Sequence, residues 1–361
     1  MKNLPCRLQM ISRILLENFR NFSSLDLKFE SPSVIVSGAN GQGKTSVLEA
    51  VFYLANLRSF RTVKTAELRK LGTESFRLFC ELTGGKWNTH LELEAAQTRR
   101  LSVDGVPVSK ASDFTGRVNT IAFLPDDNNI IGGTSLLRRR FFDMFISSVD
   151  KEYFTALQQY SSALKVRNFL LRSEKYDPEI LRSYHPILAQ NGSMIVQKRN
   201  LYAKFLTDSM RQIFERIRPE FAKFSVRMRA SKDTEDPSSF LNRLESRIEY
   251  DRTRGFTAAG PQLDDFDFIA NDKNLRIYGS NGQKRIASFA LKMAQFDIVS
   301  PRGNTVVIVD DATGDLDYRT KNAFFEKIQT AGQLFFAFTD IDNTPIFNRS
   351  QIITLSAGKA I

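Results

Sequence analysis

Residues 38–45 read Gly-Ala-Asn-Gly-Gln-Gly-Lys-Thr, matching G-x-x-x-x-G-K-[ST] at every fixed position. Such a loop turns backbone N–H groups inward around an anion. Gly38, Ala39, Asn40, Gly41, Gln42 and Gly43 are therefore expected to cradle a nucleotide β-phosphate. Lys44 would reach the β/γ oxygens of ATP, and Thr45 would offer its hydroxyl to Mg2+. A second chemical pair lies far downstream, where the apolar run Val306-Val307-Ile308-Val309 ends in Asp310 and Asp311. Behind a phosphate loop, the first carboxylate organises the metal shell, and the next can orient or deprotonate an attacking water. Lys44, Asp310 and Asp311 are thus the candidate catalytic groups, and Thr45 with Asp310 the candidate metal ligands.

The surrounding segments have the patterns needed to hold these groups. Residues 33–37 are short, β-branched and apolar, and residues 46–54 have helical spacing without a breaker, so strand, loop and helix follow in order. Lys44 and Asp310 are 266 residues apart, so a large insertion is expected between two halves of one site. Residues 11–30 read as a strand, a turn over Asn18 to Ser24 and an alternating strand from Leu25 to Phe29. Residues 74–124 read as short alternating strands broken at Gly84-Gly85 and Asp104-Gly105, an antiparallel sheet beside the nucleotide core. From Thr134 to about Gly255 the period becomes helical. Phe141, Phe145, Ile146, Tyr153, Leu157 and Tyr160 lie at core spacing there, punctuated by Pro178, Pro186 and Pro219.

A chain of 361 residues, 42% hydrophobic and 25% charged, can bury one large core or two ordinary ones. No apolar run reaches the roughly 18 residues of a membrane span, and the first residues are too charged for a secretory segment. A cytoplasmic location is expected. Cys6 and Cys80, with His90 and His185 isolated from them, form neither a disulfide framework nor a metal motif. The net charge of +11 points to a polyanion. Residues 131–230 hold 18 Lys+Arg against 9 Asp+Glu, and a second knot combines Arg58, Arg61, Lys64, Arg69 and Lys70 with only Glu67 opposing. Arg58, Arg61 and Lys64 are the candidate nucleic-acid contacts.

Tyr278-Gly279-Ser280-Asn281-Gly282-Gln283-Lys284-Arg285, some 25 residues before the carboxylate strand, resembles the signature motif of ABC-type ATPases and opens a helix over Ile286 to Phe296. Thr313-Gly314-Asp315-Leu316-Asp317 resembles their D-loop. The resemblance implies that Ser280, Gly282 and Gln283 form an anion site for the γ-phosphate held by a partner subunit, and hence an ATP-dependent homodimer. End to end, the chain resembles the RecF family of recombination-mediator ATPases in bacterial DNA repair. The family-specific stretches are Glu17-Asn18-Phe19-Arg20-Asn21-Phe22, Arg58-Ser59-Phe60-Arg61-Thr62, Phe123-Leu124-Pro125-Asp126-Asp127, Arg138-Arg139-Arg140-Phe141-Phe142-Asp143 and Tyr160 with Leu164-Lys165-Val166-Arg167-Asn168. The resemblance implies an α/β P-loop NTPase of ABC ATPase head type, with an antiparallel β subdomain and an inserted helical lobe. Residues 1–125 and 256–361 would form the ATPase lobe, and residues 126–255 the insert. It also implies single-stranded and duplex DNA, with junctions or gaps, as partners, along with the RecO and RecR mediator proteins.

Two departures bear on rate. Asp311 stands where ABC transporters usually place Glu, and the late strand ends at Thr339-Asp340 with no switch histidine. Slow, DNA-stimulated hydrolysis used as a timing switch is expected rather than a fast motor. A transporter's nucleotide-binding subunit would share the loop and signature but would have no need of a basic helical insert. A small-molecule P-loop kinase has no use for Ser280 to Gln283. A clamp that binds nucleotide without hydrolysing it would share every motif, and single-turnover hydrolysis with and without DNA separates it.

Overall fold

The computed structural model describes residues 9–338 and 348–361, apart from 86, 175–176, 222, 303–304 and 315. Cys6, Asp315, Thr339 and Asp340, named above, lie outside the described residues. The chain divides into two compact units, Met1–Pro125 with Phe296–Ile361, and Asp126–Gln295. The expected boundaries are 125/126 and 255/256, and those of the two compact units are 125/126 and 295/296. Residues 256–295 group with the insert, where the strand Asp265–Ala270 pairs with the strand Phe224–Arg229 of the helical region.

In the first unit the chain forms β1 (Met10–Phe19), β2 (Phe22–Lys28), β3 (Ser33–Ser37), α1 (Lys44–Asn56), β4 (Phe76–Thr83), β5 (Thr89–Ala95), β6 (Arg99–Val103), β7 (Val106–Pro107), a short α2 (Ala111–Phe114) and β8 (Asn119–Phe123). The first turn is tighter than the sequence suggests. β1 and β2 are joined through Arg20 and Asn21 alone, with Asn18 and Arg20 both at positive φ. Strands β2-β1-β4-β5-β6-β7 make an antiparallel sheet in that order. β8, expected as part of it, instead pairs in parallel with a strand from the other end of the chain. Its residues 120–123, Thr120 included, are buried on both faces, as in a covered parallel sheet. The α1 helix packs against strands of both sheets, so its residues 46–54 are all buried.

The second unit contains α3 (Asn128–Gly132), α4 (Ser135–Val149), α5 (Lys151–Arg172), α6 (Pro178–Ser183), α7 (His185–Ile217), β9 (Phe224–Arg229), α8 (Pro237–Ser246), α9 (Ile248–Arg254), β10 (Asp265–Ala270), β11 (Lys273–Asn274) and α10 (Leu275–Tyr278), and most of α11 (Asn281–Val299). Its core is α7 packed against α5, α8 and β9. At about 1.5 Å rise per residue, the 33 residues of α7 span roughly 50 Å. The prolines mark helix ends: Pro178 and Pro186 sit in the first turns of α6 and α7, and Pro219 follows α7. Strands β11-β10-β9 form a small antiparallel sheet that the helical period had masked. Leu157, expected at a core position, is only half-buried, and Ala156 takes the interior place.

The chain returns to the first unit with β12 (Thr305–Asp310), α12 (Tyr318–Ile328), β13 (Gln333–Phe338), β14 (Gln351–Ser356) and β15 (Lys359–Ala360). The second sheet runs β15-β14-β3-β13-β12-β8, with every pair parallel except the terminal β14–β15 hairpin. Both chain ends therefore build one sheet, with β13 between the strand that feeds the phosphate loop and the strand that ends in the carboxylates.

Candidate nucleotide cleft and signature turn

The loop between β3 and α1 is shaped by contacts with two hairpins. Gly38 has φ 141°, and a Cβ there would lie 2.5 Å from the Leu355 carbonyl oxygen of β14. Gly43 has φ 100°, and a Cβ there would overlap the Phe22 ring and the Asn21 amide. Glycine is required at both positions, because the loop is pressed against the β1–β2 turn on one side and β14 on the other. The Asn21 amide donates to the Gln42 carbonyl at 3.4 Å, and the Gln42 side chain accepts from the Ala357 N–H at 2.7 Å. Lys44 Nζ donates to the Gly38 and Ala39 carbonyls at 2.7 and 3.1 Å, so its ammonium lies across the loop.

The carboxylate strand meets this loop. Thr45 Oγ1 donates to Asp310 Oδ1 at 3.0 Å, although the residues are 265 apart in sequence. Asp310 is buried, and this burial lifts its carboxyl above the usual range, opposed first by the Thr45 hydrogen bond and then by Arg61. Asp311 is exposed beyond the strand end at φ 48°, its N–H bonded to the Ala337 carbonyl at 3.1 Å. A non-glycine residue in that region marks local strain where a side chain must be aimed. A cleft of about 680 Å3 is lined by Asn40, Gly41, Gly43, Lys44, Thr45, Asp310 and Asp311, a size suited to a nucleotide. Another cleft, of about 810 Å3, lies on the antiparallel sheet, where Arg77 and Arg100 are paired with Glu92 and Glu94; it contains none of the groups above.

The basic knot after α1 is divided by the fold. Arg61 lines the 680 Å3 cleft and is half-exposed, whereas Arg58 and Lys64 are exposed and do not line it. Lys64 also pairs with Glu67 at 3.5 Å. Sequence reasoning missed Glu49, which is fully buried in α1 and accepts both Arg20 Nε and Nη2 at 2.7 and 2.6 Å. The available signal was a lone acid in an otherwise apolar stretch, one turn beyond Thr45.

In the second unit, Ser280 precedes α11 and forms a reciprocal cap with Gln283. The Gln283 N–H donates to Ser280 Oγ at 3.2 Å, and the Ser280 N–H donates to Gln283 Oε1 at 2.9 Å. Helix α11 therefore starts at Asn281, five residues earlier than expected, and Ser280, Gly282 and Gln283 are all exposed at its first turn. The basic surplus is less superficial than the sequence implies. Arg138, Arg167 and Arg199 are buried in ion pairs with Asp265, Asp251 and Asp264, three acids outside the basic window. Over 126–295 the balance is 28 Lys+Arg against 21 Asp+Glu. Among the described residues, no helix is long and apolar enough to cross a membrane.

Residues 10–342 match the RecF/RecN/SMC N-terminal domain family. The DNA replication and repair protein RecF of Ruminiclostridium cellulolyticum is 31% identical over 346 residues, covering 92% of this chain and 93% of that protein. The protein of the same name from Leptospira interrogans is 30% identical over 360 residues, covering 97% and 98%. The solved structure of a recombination mediator protein RecF with ATP, in the RecFOR pathway, superposes with a TM-score of 0.88 at 26% identity, covering 100% of this chain and 99% of that one. An SMC head bound to the C-winged helix domain of ScpA shares the fold, with a TM-score of 0.53 at 13% identity. The likeness runs through the loop, the carboxylate strand and the insert alike, and the chain belongs to the RecF family of DNA replication and repair proteins, with the ABC ATPase head fold.

Proposed function

We propose that this protein binds ATP in the cleft at Gly38–Thr45 and uses it to dimerise on single-stranded and duplex DNA at gaps or junctions. Slow hydrolysis then releases it during recombinational repair and replication-gap processing. The observation that carries this reading is the 3.0 Å contact between Thr45 and Asp310, in one cleft with Lys44 and Asp311. The Thr45 hydroxyl and Asp310 carboxylate are hard oxygen donors already in contact, a set that fits Mg2+. When bound, the metal would neutralise phosphate charge. Lys44 holds the β/γ oxygens, and Asp311, exposed in the cleft, orients a water and accepts its proton. Ser280, Gly282 and Gln283 present a capped helix N-terminus to solvent, suited to the γ-phosphate of a second subunit. Arg58 and Lys64 supply phosphate-directed DNA contacts. A cytoplasmic site of action and partnership with RecO and RecR accord with family membership.

Lys44→Ala should weaken ATP at least about tenfold, since a charge-assisted phosphate contact contributes roughly 1.5–3 kcal/mol. Titration with a fluorescent ATP analogue tests this, and unchanged affinity sinks the assignment. A clamp that never hydrolyses is the second reading, favoured by the short reach of Asp311. Single-turnover hydrolysis with gapped, single-stranded and blunt duplex DNA decides between the two, and Asp311→Asn should bind ATP normally while stalling any turnover.

A further inference from the structure

We propose that Glu49 is a positioning residue that aims Arg61 at the phosphates in the cleft. The inference rests on the nucleotide reading above and deepens it. After Lys44, Glu49 is the one charged residue of α1, and its carboxylate is fully buried. Burying a carboxylate is costly unless it is hydrogen-bonded and paired, and Arg20 alone satisfies that need through its two bonds. Arg20 is itself anchored further, because its Nη1 donates to the Glu67 carbonyl at 2.7 Å. Beyond Arg20, Glu49 makes two further contacts, and these lead to Arg61.

The first runs through Ser59, whose hydroxyl donates to Glu49 Oε1 at 2.5 Å and is buried. Ser59 Oγ in turn accepts the N–H groups of Arg61 at 2.8 Å and Thr62 at 3.0 Å, which turns the backbone at Arg61. The second is the approach of Arg61 Nη1 to Glu49 Oε2 at 3.8 Å. That distance is too long for a hydrogen bond but short enough for Coulomb attraction. Glu49 thus directs the guanidinium without consuming its N–H donors, which lie in the same cleft as Lys44, Thr45, Asp310 and Asp311. An arginine held in this way can meet a phosphate with two parallel N–H bonds.

The test compares wild type, Glu49→Gln, Arg61→Ala and the double variant. ATP affinity, single-turnover hydrolysis on DNA and the thermal midpoint are measured for each. Glu49→Gln leaves the Arg61 guanidinium present but unaimed, so it should keep ATP affinity within about threefold while slowing hydrolysis roughly tenfold or more; Arg61→Ala removes the phosphate contact itself and should weaken ATP as well as slow hydrolysis. Because Glu49 acts through Arg61, the double variant should be no slower than Arg61→Ala. Wild-type hydrolysis in Glu49→Gln, multiplied losses in the double variant, or a loss of affinity in Glu49→Gln as large as its loss of rate overturns the proposal. If Glu49→Gln does not fold, Ser59→Ala removes only the hydroxyl link and should show the same split; hydrolysis at the wild-type rate then overturns it. A wild type that binds no ATP refutes the nucleotide reading itself. One that binds and hydrolyses ATP, with variants that do likewise, refutes only the role of Glu49.

Discussion

Replacing Asp310 with asparagine should stabilise the protein and weaken magnesium-dependent nucleotide binding in the same variant. Asp310 is 9% exposed at the end of β12, and burial raises its carboxyl above the ordinary 3.8. The folded state therefore holds the proton more tightly than the unfolded chain. Stability from this group is fully present below pH 3.8 and is lost as pH rises through the folded value. Near neutral pH the whole cost of burying the charge is in force. Asparagine keeps the shape and still accepts from Thr45 Oγ1, but has no charge to desolvate, so its unfolding midpoint in urea should equal or exceed that of wild type. Nucleotide binding should move the other way. A charge-assisted contact of roughly 1.5–3 kcal/mol corresponds to an about 10- to 150-fold loss of affinity. A fluorescent ATP analogue titrated with Mg2+ and with EDTA isolates that loss, which should appear only with the metal. An undiminished gain from Mg2+, or a markedly destabilised variant, would refute the reasoning.

Ser280→Arg breaks the cap at α11, at a cost of about 1 kcal/mol. It should leave ATP binding intact and abolish ATP-driven dimerisation in sedimentation; a dimer like that of wild type removes Ser280 from the interface. Arg58→Ala should flatten the log affinity against log salt slope on duplex DNA by about 0.9 without changing ATP affinity. An unchanged slope places the DNA surface elsewhere. His185 is buried; its Nε2 accepts from Arg167 Nε at 3.1 Å, and its Nδ1 is 2.5 Å from Glu245. Burial lowers its folded pKa, so its contribution to stability is present above pH 6.5 and lost as pH falls through the folded value. His185→Gln should therefore lose less stability on acidification than wild type, as read from urea midpoints, and equal losses would contradict the assigned state.

The residues at each end of the cleft were legible because each motif is local. A phosphate loop needs its glycines, lysine and threonine within eight consecutive residues, and the carboxylate strand needs only an apolar run with Asp at its end. Their union was inferred from order alone, and the fold carries it out by placing β13, from the far end of the chain, between β3 and β12. What the sequence could not decide were pairings between distant residues. An alternating run cannot say which sheet it joins, and β8 left the antiparallel sheet for the parallel one. A count of arginines cannot tell the surface from the interior, where Arg138, Arg167 and Arg199 meet acids 65 to 127 residues away. Arg61 looked like one more basic residue for a polyanion, and only the tertiary structure shows it lining the cleft of Lys44 and Asp310, beside the buried Glu49 on which Arg20 and Ser59 also converge. Local backbone geometry is written in neighbouring residues, whereas electrostatic partnership depends on which segments the packed core brings within a few ångströms of each other.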